Sequence, residues 1–312
     1  MSPPQDIGDQ ALLGSAQSAP SGISGIFAGG IQSAGVQEHA EKYDITNGTG
    51  ELVDNMVTAT RSMGGISHDD QGVFGAGEGA SATCEHYDIE TGVSTSDGND
   101  LGESRYGLAG ISDGSGDGVF GGGYATSWSA YTDHYVIATG VADTDYGDIN
   151  VARAYLAGLS GGSGEGLFGG GMNSNPYNHQ VDTYNISTAA CSVIGADLSA
   201  GRRYLSGISD GSGNGVFAGG KASSGYVSTT DFYDNIGGTP STSSGGENLS
   251  FAFQALGGIS DGDGFGVFAG GANGSYNFLC CRYDITNGTE THDGDNLNST
   301  MGAYGVTGIG VI

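Results

Sequence analysis

The chain has 312 residues, of which 63 are glycine and only 5 proline, a balance that excludes collagen and proline-rich linkers. Its 35 acidic and 8 basic residues give a net charge of -27, which repels nucleic acid and anionic membranes and excludes polyanion binding as the main business. The 16 tyrosines and 11 phenylalanines recur at fixed spacing, so the chain can bury a core if its repeats share one.

The N-terminal stretch MSPPQDIGDQALLG has no basic n-region and no apolar h-region, and no run of 18 apolar residues follows anywhere. The expectation is an unexported chain without membrane insertion. Residues 1-20 read as a short arm and residues 21-312 as one β domain. From there a phrase returns six times: GIFAGG at 25-30, GVFGAG at 72-77, GVFGGG at 118-123, GLFGGG at 166-171, and GVFAGG at 215-220 and 266-271. Its phenylalanines, Phe27, Phe74, Phe120, Phe168, Phe217 and Phe268, stand 47, 46, 48, 49 and 51 residues apart. A tyrosine follows each, at Tyr43, Tyr87, Tyr135, Tyr184, Tyr233 and Tyr283. In five repeats GIS or GLS precedes the Phe.

The short apolar runs of one repeat alternate with turn chemistry, and none is long enough for a helix. Each repeat therefore reads as four short antiparallel strands, a to d. Strand a lies around YGLAGIS (106-112) and DGSGDG turns the chain. Strand b carries GVF and strand c the YDI-type tripeptide. Strand d is expected near Leu52, Leu101, Ile149, Leu198, Leu249 and Leu297. Six such units of kelch length predict an all-β fold, a six-bladed β-propeller. Repeat 1 lacks a complete strand a, while YGVTGIGVI (304-312) is a strand a without a strand b, so the C-terminal strand is expected to close the ring.

Five of the eight bases, Arg61, Arg105, Arg153, Arg202 and Arg203, stand five or six residues before the Ile or Leu of strand a, near the channel mouth. Two readings stand. The arginines grip an anionic sugar, or each pairs with the acid upstream of it, Asp54, Asp100, Asp148 or Asp197; the second is preferred because the acid travels with the base. Turns such as DGSGDG place acids as calcium loops do, but the copies GGSGEG and DGSGNG lose them, and a hairpin turn is the simpler reading. Cys84, Cys191, Cys280 and Cys281 form no CxxC pair and read as thiols, with neither a zinc site nor a disulfide framework. The histidines fall at different repeat positions, and no cofactor or catalytic set can be assembled. Because strands alternate in direction, the b-c and d-a loops share one face. The variable b-c loops carry Tyr124, Trp128, Tyr131, Tyr177, Tyr226 and Tyr276 amid Ser, Asn and Gly, the composition of a recognition surface, or else a cover for the c strands beneath.

The order GVFAGG, YDIT, strand d, Arg resembles the kelch repeat, with its glycine doublet and tyrosine, over residues 21-312. The stretch HYVIATGVADTDYGDINVARAYLAGLS with the following GLFGGG (134-171) is similar to kelch-like repeats in virion and tail-associated proteins of marine bacteriophages. The resemblance implies a non-enzymatic virion component of tail, fibre or capsid surface, made in the host cytoplasm. Its implied partners are other virion subunits and a host surface glycan or receptor. Tyr124, Trp128, Tyr131, Tyr177, Tyr226, Tyr276, Arg105, Arg153 and Arg203 are the candidate contacts. A glycan-active enzyme, glycosidase or sialidase-like, remains the alternative, since two acids at suitable separation are all that it needs.

Overall fold

In the third repeat the run AGIS forms the strand Ala109–Ser112, and the chain returns as Asp117–Gly121. Asp113 sets the turn between them: its carboxylate accepts the backbone N–H of Ser115 at 2.7 Å and of Asp117 at 3.0 Å. That acid is thus occupied by its own backbone, as a hairpin turn requires. Gly122 and Gly123, at φ of 70° and 113°, then bend the chain into a loop before Tyr131–Val136 and Val141–Asp148 complete an antiparallel sheet.

The structure, a computed structural model, describes residues 23–78, 82–96, 99–243, 246–291 and 296–310. The expected arm, residues 1–20, lies outside the described residues. Among the described residues there are six four-stranded antiparallel sheets, a few short hairpin pairings and no helix, an all-β, propeller-like arrangement. Five sheets run in chain order from inner to outer strand. In the other, Thr307–Gly310 lies beside Ser24–Ala28, with Gly25 opposite Gly310 and Ala28 opposite Thr307.

Strand d contains Leu52 in the first repeat, as expected, but in the others it ends before the expected residue. The outer strands are Thr49–Leu52, Val93–Thr95, Val141–Asp148, Ala190–Val193, Ser241–Ser243 and Thr289–Thr291. Leu101, Ile149, Leu198, Leu249 and Leu297 follow them, buried in the segment that returns inward. An outer strand has water along its edge and gains little from an aliphatic side chain; the returning segment lies between two sheets, where burial removes the side chain from water.

The GIS phrase is explained where the inner strands meet. A Cβ on Gly110 would stand 2.1 Å from the carbonyl oxygen of Gly65, and one on Gly158 would stand 2.2 Å from that of Gly110. The same contact recurs from Gly207 to Gly158, Gly258 to Gly207, Gly308 to Gly258 and Gly65 to Gly308. Glycine is thus required because backbone touches backbone from sheet to sheet. The serine supplies the next link: Ser67 donates its N–H to the Ser112 hydroxyl at 3.0 Å, Ser112 to Ser160 at 2.9 Å, Ser160 to Ser209 at 3.2 Å and Ser209 to Ser260 at 3.0 Å. The Ser67 hydroxyl donates to the carbonyl of Gly310.

Between neighbouring sheets lie the apolar clusters. Phe120 reaches back onto Gly75 of the preceding sheet, where a Cβ would stand 2.9 Å from its ring. In its own sheet it meets Tyr135 edge-on, with centroids 6.1 Å apart at 81°. All six Phe–Tyr pairs adopt this T-shaped geometry, each worth roughly 0.5–1.5 kcal/mol beyond its buried area. The phenol oxygens also tie sheet to sheet: Tyr87 donates to the Asp54 carbonyl at 2.9 Å and Tyr233 to that of Ala196 at 2.9 Å.

Candidate functional site

Every segment returning to an inner strand pairs with the loop that follows strand b, so Arg61 meets Glu78, Tyr106 meets Tyr124, Ala154 meets Met172 and Ile31 meets Tyr304. One residue further along, the φ angle is left-handed in all six: 57° at Ser62, 67° at Gly107, 57° at Tyr155, 56° at Tyr204, 60° at Ala255 and 74° at Gly305. Four of these are not glycine, and that conformation costs each of them on the order of 1 kcal/mol. The bend aims each N–H at the carbonyl of its counterpart in the preceding repeat. Gly107 donates to Ser62 at 2.7 Å, Tyr155 to Gly107 at 2.6 Å and Tyr204 to Tyr155 at 2.9 Å. Ala255 donates to Tyr204 at 2.7 Å, Gly305 to Ala255 at 3.0 Å and Ser62 to Gly305 at 2.9 Å, which completes the circle.

The side chains on this rim make a continuous aromatic surface. Ring centroids are 6.0 Å apart for Tyr106–Tyr155, 4.2 Å for Tyr155–Tyr204 and 5.8 Å for Tyr204–Tyr304. The surface runs outward from Tyr106 to Tyr124 at 5.7 Å and on to Trp128 at 4.8 Å. A cavity of about 130 Å³, with Tyr155 and Tyr204 in its wall, lies between the rim and the inner strands. A second, of about 70 Å³, lies toward the serines at the other end.

Two arginines edge the rim. Arg61 grips Glu78 with both ends of its fork, at 2.8 and 2.9 Å, and lies over Tyr304; the Glu78 hydrogen bond holds its pKa above the ordinary value. Arg203 lies over Tyr177 and Tyr204, 5.5 and 5.4 Å from their centroids. Burial pushes the phenols of Tyr155 and Tyr304 far up, with Tyr204 adding to the effect. At neutral pH these rings are uncharged hydroxyl-bearing faces. No carboxylate stands among the rim residues Arg61, Tyr106, Ala154, Arg203, Gln254 and Tyr304 or at the six left-handed positions after them.

The structure places the sequence candidates unequally. Tyr124, Trp128, Tyr177 and Arg203 belong to the rim. Tyr131, opposite Asp148, is exposed apart from it, and Tyr276 is exposed beside it, opposite Ala272, which itself lies opposite the rim residue Gln254. Tyr226 is exposed beside Lys221, whose Nζ lies 5.2 Å from its ring centre.

Arg105 and Arg153 require correction as binding residues. They are 2% and 0% exposed, and with Arg202 they lie in ion pairs with Asp133, Asp182 and Asp231 at 2.7, 2.8 and 2.5 Å. Each also donates to a carbonyl of strand b, Phe120, Phe168 or Phe217. The expected upstream acids Asp100, Asp148 and Asp197 are not their partners. The arginine points inward under its own sheet, where strand c presents the acid.

The second repeat has Thr60 and Glu85 at these two places, beside a cavity of about 30 Å³. Burial pushes the Glu85 carboxyl up to about 7, countered in part by the Val57 N–H at 2.9 and 3.0 Å. The folded chain thus retains a proton that the unfolded chain releases near its ordinary value of 4.5. Stability from this site is intact below that value and is lost as pH rises toward 7. Glu85→Gln is accordingly expected to raise the unfolding midpoint over that of the unsubstituted protein more at pH 8 than at pH 4.5. Equal shifts at the two pH values in scanning calorimetry would refute this.

The rim tyrosines Tyr106, Tyr155, Tyr204 and Tyr304 were not singled out from sequence. Their signal was a tyrosine four or five residues before the GIS-type isoleucine or leucine, and it was absorbed into strand a. Among the described residues no group of three His, Cys, Asp or Glu side chains is placed to hold a metal ion. None of the four cysteines is in a disulfide, and burial pushes the Cys191 thiol up to about 12. No helix among the described residues is long and apolar enough to cross a membrane.

The fold and rim together define an all-β, propeller-like protein with an aromatic opening at one end of its central channel. No family model matches the chain, and no curated protein matches it at a significant level. Among solved structures, one titled "Structure of YjhT" is similar to it with a TM-score of 0.62 over 79% of this chain and 86% of that one. The sequence identity is 15%, so the likeness is one of fold alone.

Proposed function

We propose that the chain is a non-enzymatic recognition protein, a six-bladed kelch-like propeller closed by its C-terminal strand, that binds surface glycans through the aromatic rim. The observation that carries this reading is the unbroken run of rings from Trp128 through Tyr124, Tyr106, Tyr155 and Tyr204 to Tyr304. Flat rings offer area to the apolar face of a sugar at little cost in side-chain freedom, while their hydroxyls and Arg203 supply polar contacts. Binding rather than hydrolysis is favoured because Glu78, beside the rim, is held at both oxygens by Arg61. The closed form of the propeller is supported by the circles of backbone contacts on both sides of the inner strands. The resemblance of residues 134-171 to phage repeats supports a place on a virion, with other virion subunits as partners and host glycan as target.

Trp128 tests the reading. It is half-buried against Tyr124 and is the only tryptophan of the chain, standing where other repeats have Tyr226 or Tyr276. Trp128→Ala is expected to leave the circular dichroism spectrum intact and to weaken binding on a glycan array, or to host cells, by roughly tenfold or more, about 1.4 kcal/mol. A folded variant with full binding would place the contact elsewhere. Mass spectrometry of purified particles tests the virion assignment.

A further inference from the structure

Beside the rim, three short strands lie side by side: Arg202–Arg203, Lys221–Ala222 and Gly225–Tyr226. Their register sets Arg203 opposite Lys221 and Lys221 opposite Tyr226. Directly opposed residues of antiparallel strands project to the same side of the sheet, and two like charges so placed repel. This is an unusual arrangement for a chain with 35 acids and 8 bases. Arg105, Arg153 and Arg202 each have a buried aspartate, and Arg61 has Glu78. Arg203 and Lys221 form no ion pair among the described residues.

What surrounds the two cations holds them without neutralising them. Arg203 lies over two rings, Lys221 over one. One guanidinium nitrogen of Arg203 has only the Met172 sulfur as acceptor, at 2.8 Å, and its Nε is buried with no acceptor. A sulfur is a weak acceptor, so the guanidinium keeps unused donor capacity. The Cβ atoms of such an opposed pair stand about 5 Å apart, so a fork and a point charge rise from one side of the sheet, flanked by the exposed ring of Tyr226. A planar fork and a compact ammonium on one side of a sheet can share the several oxygens of one tetrahedral oxyanion.

Building on the glycan-binding reading of the rim, we infer that Arg203 and Lys221 form an anion subsite for a sulfate or phosphate ester on an otherwise neutral glycan, with a sugar ring against Tyr226. A dense polyanion is disfavoured by the net charge of -27. An isolated ester is not, because at physiological salt the more distant acids are screened beyond about 8 Å while the two cations act at contact.

The test is titration calorimetry with four oligosaccharides of one backbone: neutral, singly sulfated, singly phosphorylated and carrying one uronic acid. At 0.15 M salt the sulfated or phosphorylated form is expected to bind at least tenfold more tightly than the neutral one, and the better of the two names the ester. Lys221→Met keeps the aliphatic stem and should remove most of that advantage, as should Arg203→Gln. Trp128→Ala should weaken the neutral and charged forms alike. Retention of the full advantage by both folded cation variants overturns the subsite, and so does equal or tighter binding of the uronic acid form. If Trp128→Ala changes nothing while Lys221→Met abolishes the advantage, the subsite stands and the rim reading falls. Should either cation variant lose its fold, inorganic sulfate replaces it as the probe. It should raise the unfolding midpoint of the intact protein above that in chloride of equal ionic strength, and no such rise overturns the proposal.

Discussion

Truncation after Thr300 is expected to lower the unfolding midpoint by more than 10 °C or to abolish cooperative unfolding. The lost segment contains Thr307–Gly310, which pairs along its length with Ser24–Ala28, and it buries Met301, Val306 and Ile309 at 0%, 3% and 2% exposure. Burying such side chains contributes about 1.5–3 kcal/mol each. Their sum is comparable to the roughly 5–15 kcal/mol that holds a typical domain folded. The cut also removes Gly305, which donates to Ala255 and accepts from Ser62. Neighbour contacts dominate the stability of repeat arrays, so the damage falls on the whole molecule. A midpoint within a few degrees of the full chain's would show that the last strand does not close the ring.

Arg153→Ala is expected to destabilise by about 3–5 kcal/mol, because it leaves Asp182, also fully buried, without its counter-charge. The remedy is present in the same chain. The sixth sheet has Phe253 and Cys281 where the fourth has Arg153 and Asp182, and both lie in one apolar cluster. The double variant Arg153→Phe, Asp182→Cys should therefore recover most of the loss, since a well-packed apolar pair can replace a buried ion pair. Urea unfolding of the single and double variants decides the matter. A single variant within 1 kcal/mol of the parent would mean that the pair contributes little.

The repeat made the fold legible. Phe120 and Tyr135 recur because each sheet needs the same ring pair, and the orphan strand at the C-terminus announced its partner. Less legible was anything depending on the direction of a side chain. The arginine spacing was visible, but sequence could not tell that Arg153 points inward to strand c and Arg203 outward to the rim, although they differ by one place in the repeat. The aromatic loops were found by composition. Tyr155 and Tyr204 were missed because a tyrosine in left-handed conformation looks, in sequence, like the start of a strand.

One backbone bond recurs six times around the circle from Ser62 to Gly305, yet the residues just before its donors are Arg61, Tyr106, Ala154, Arg203, Gln254 and Tyr304, no two neighbours alike. A ring assembled from six identical subunits must offer a guest six equivalent poses. Here main-chain atoms bear the symmetry and side chains break it, with the two arginines half a turn apart. On the proposed reading, a guest at this opening would meet positions in no repeating order and so be offered one preferred orientation rather than six.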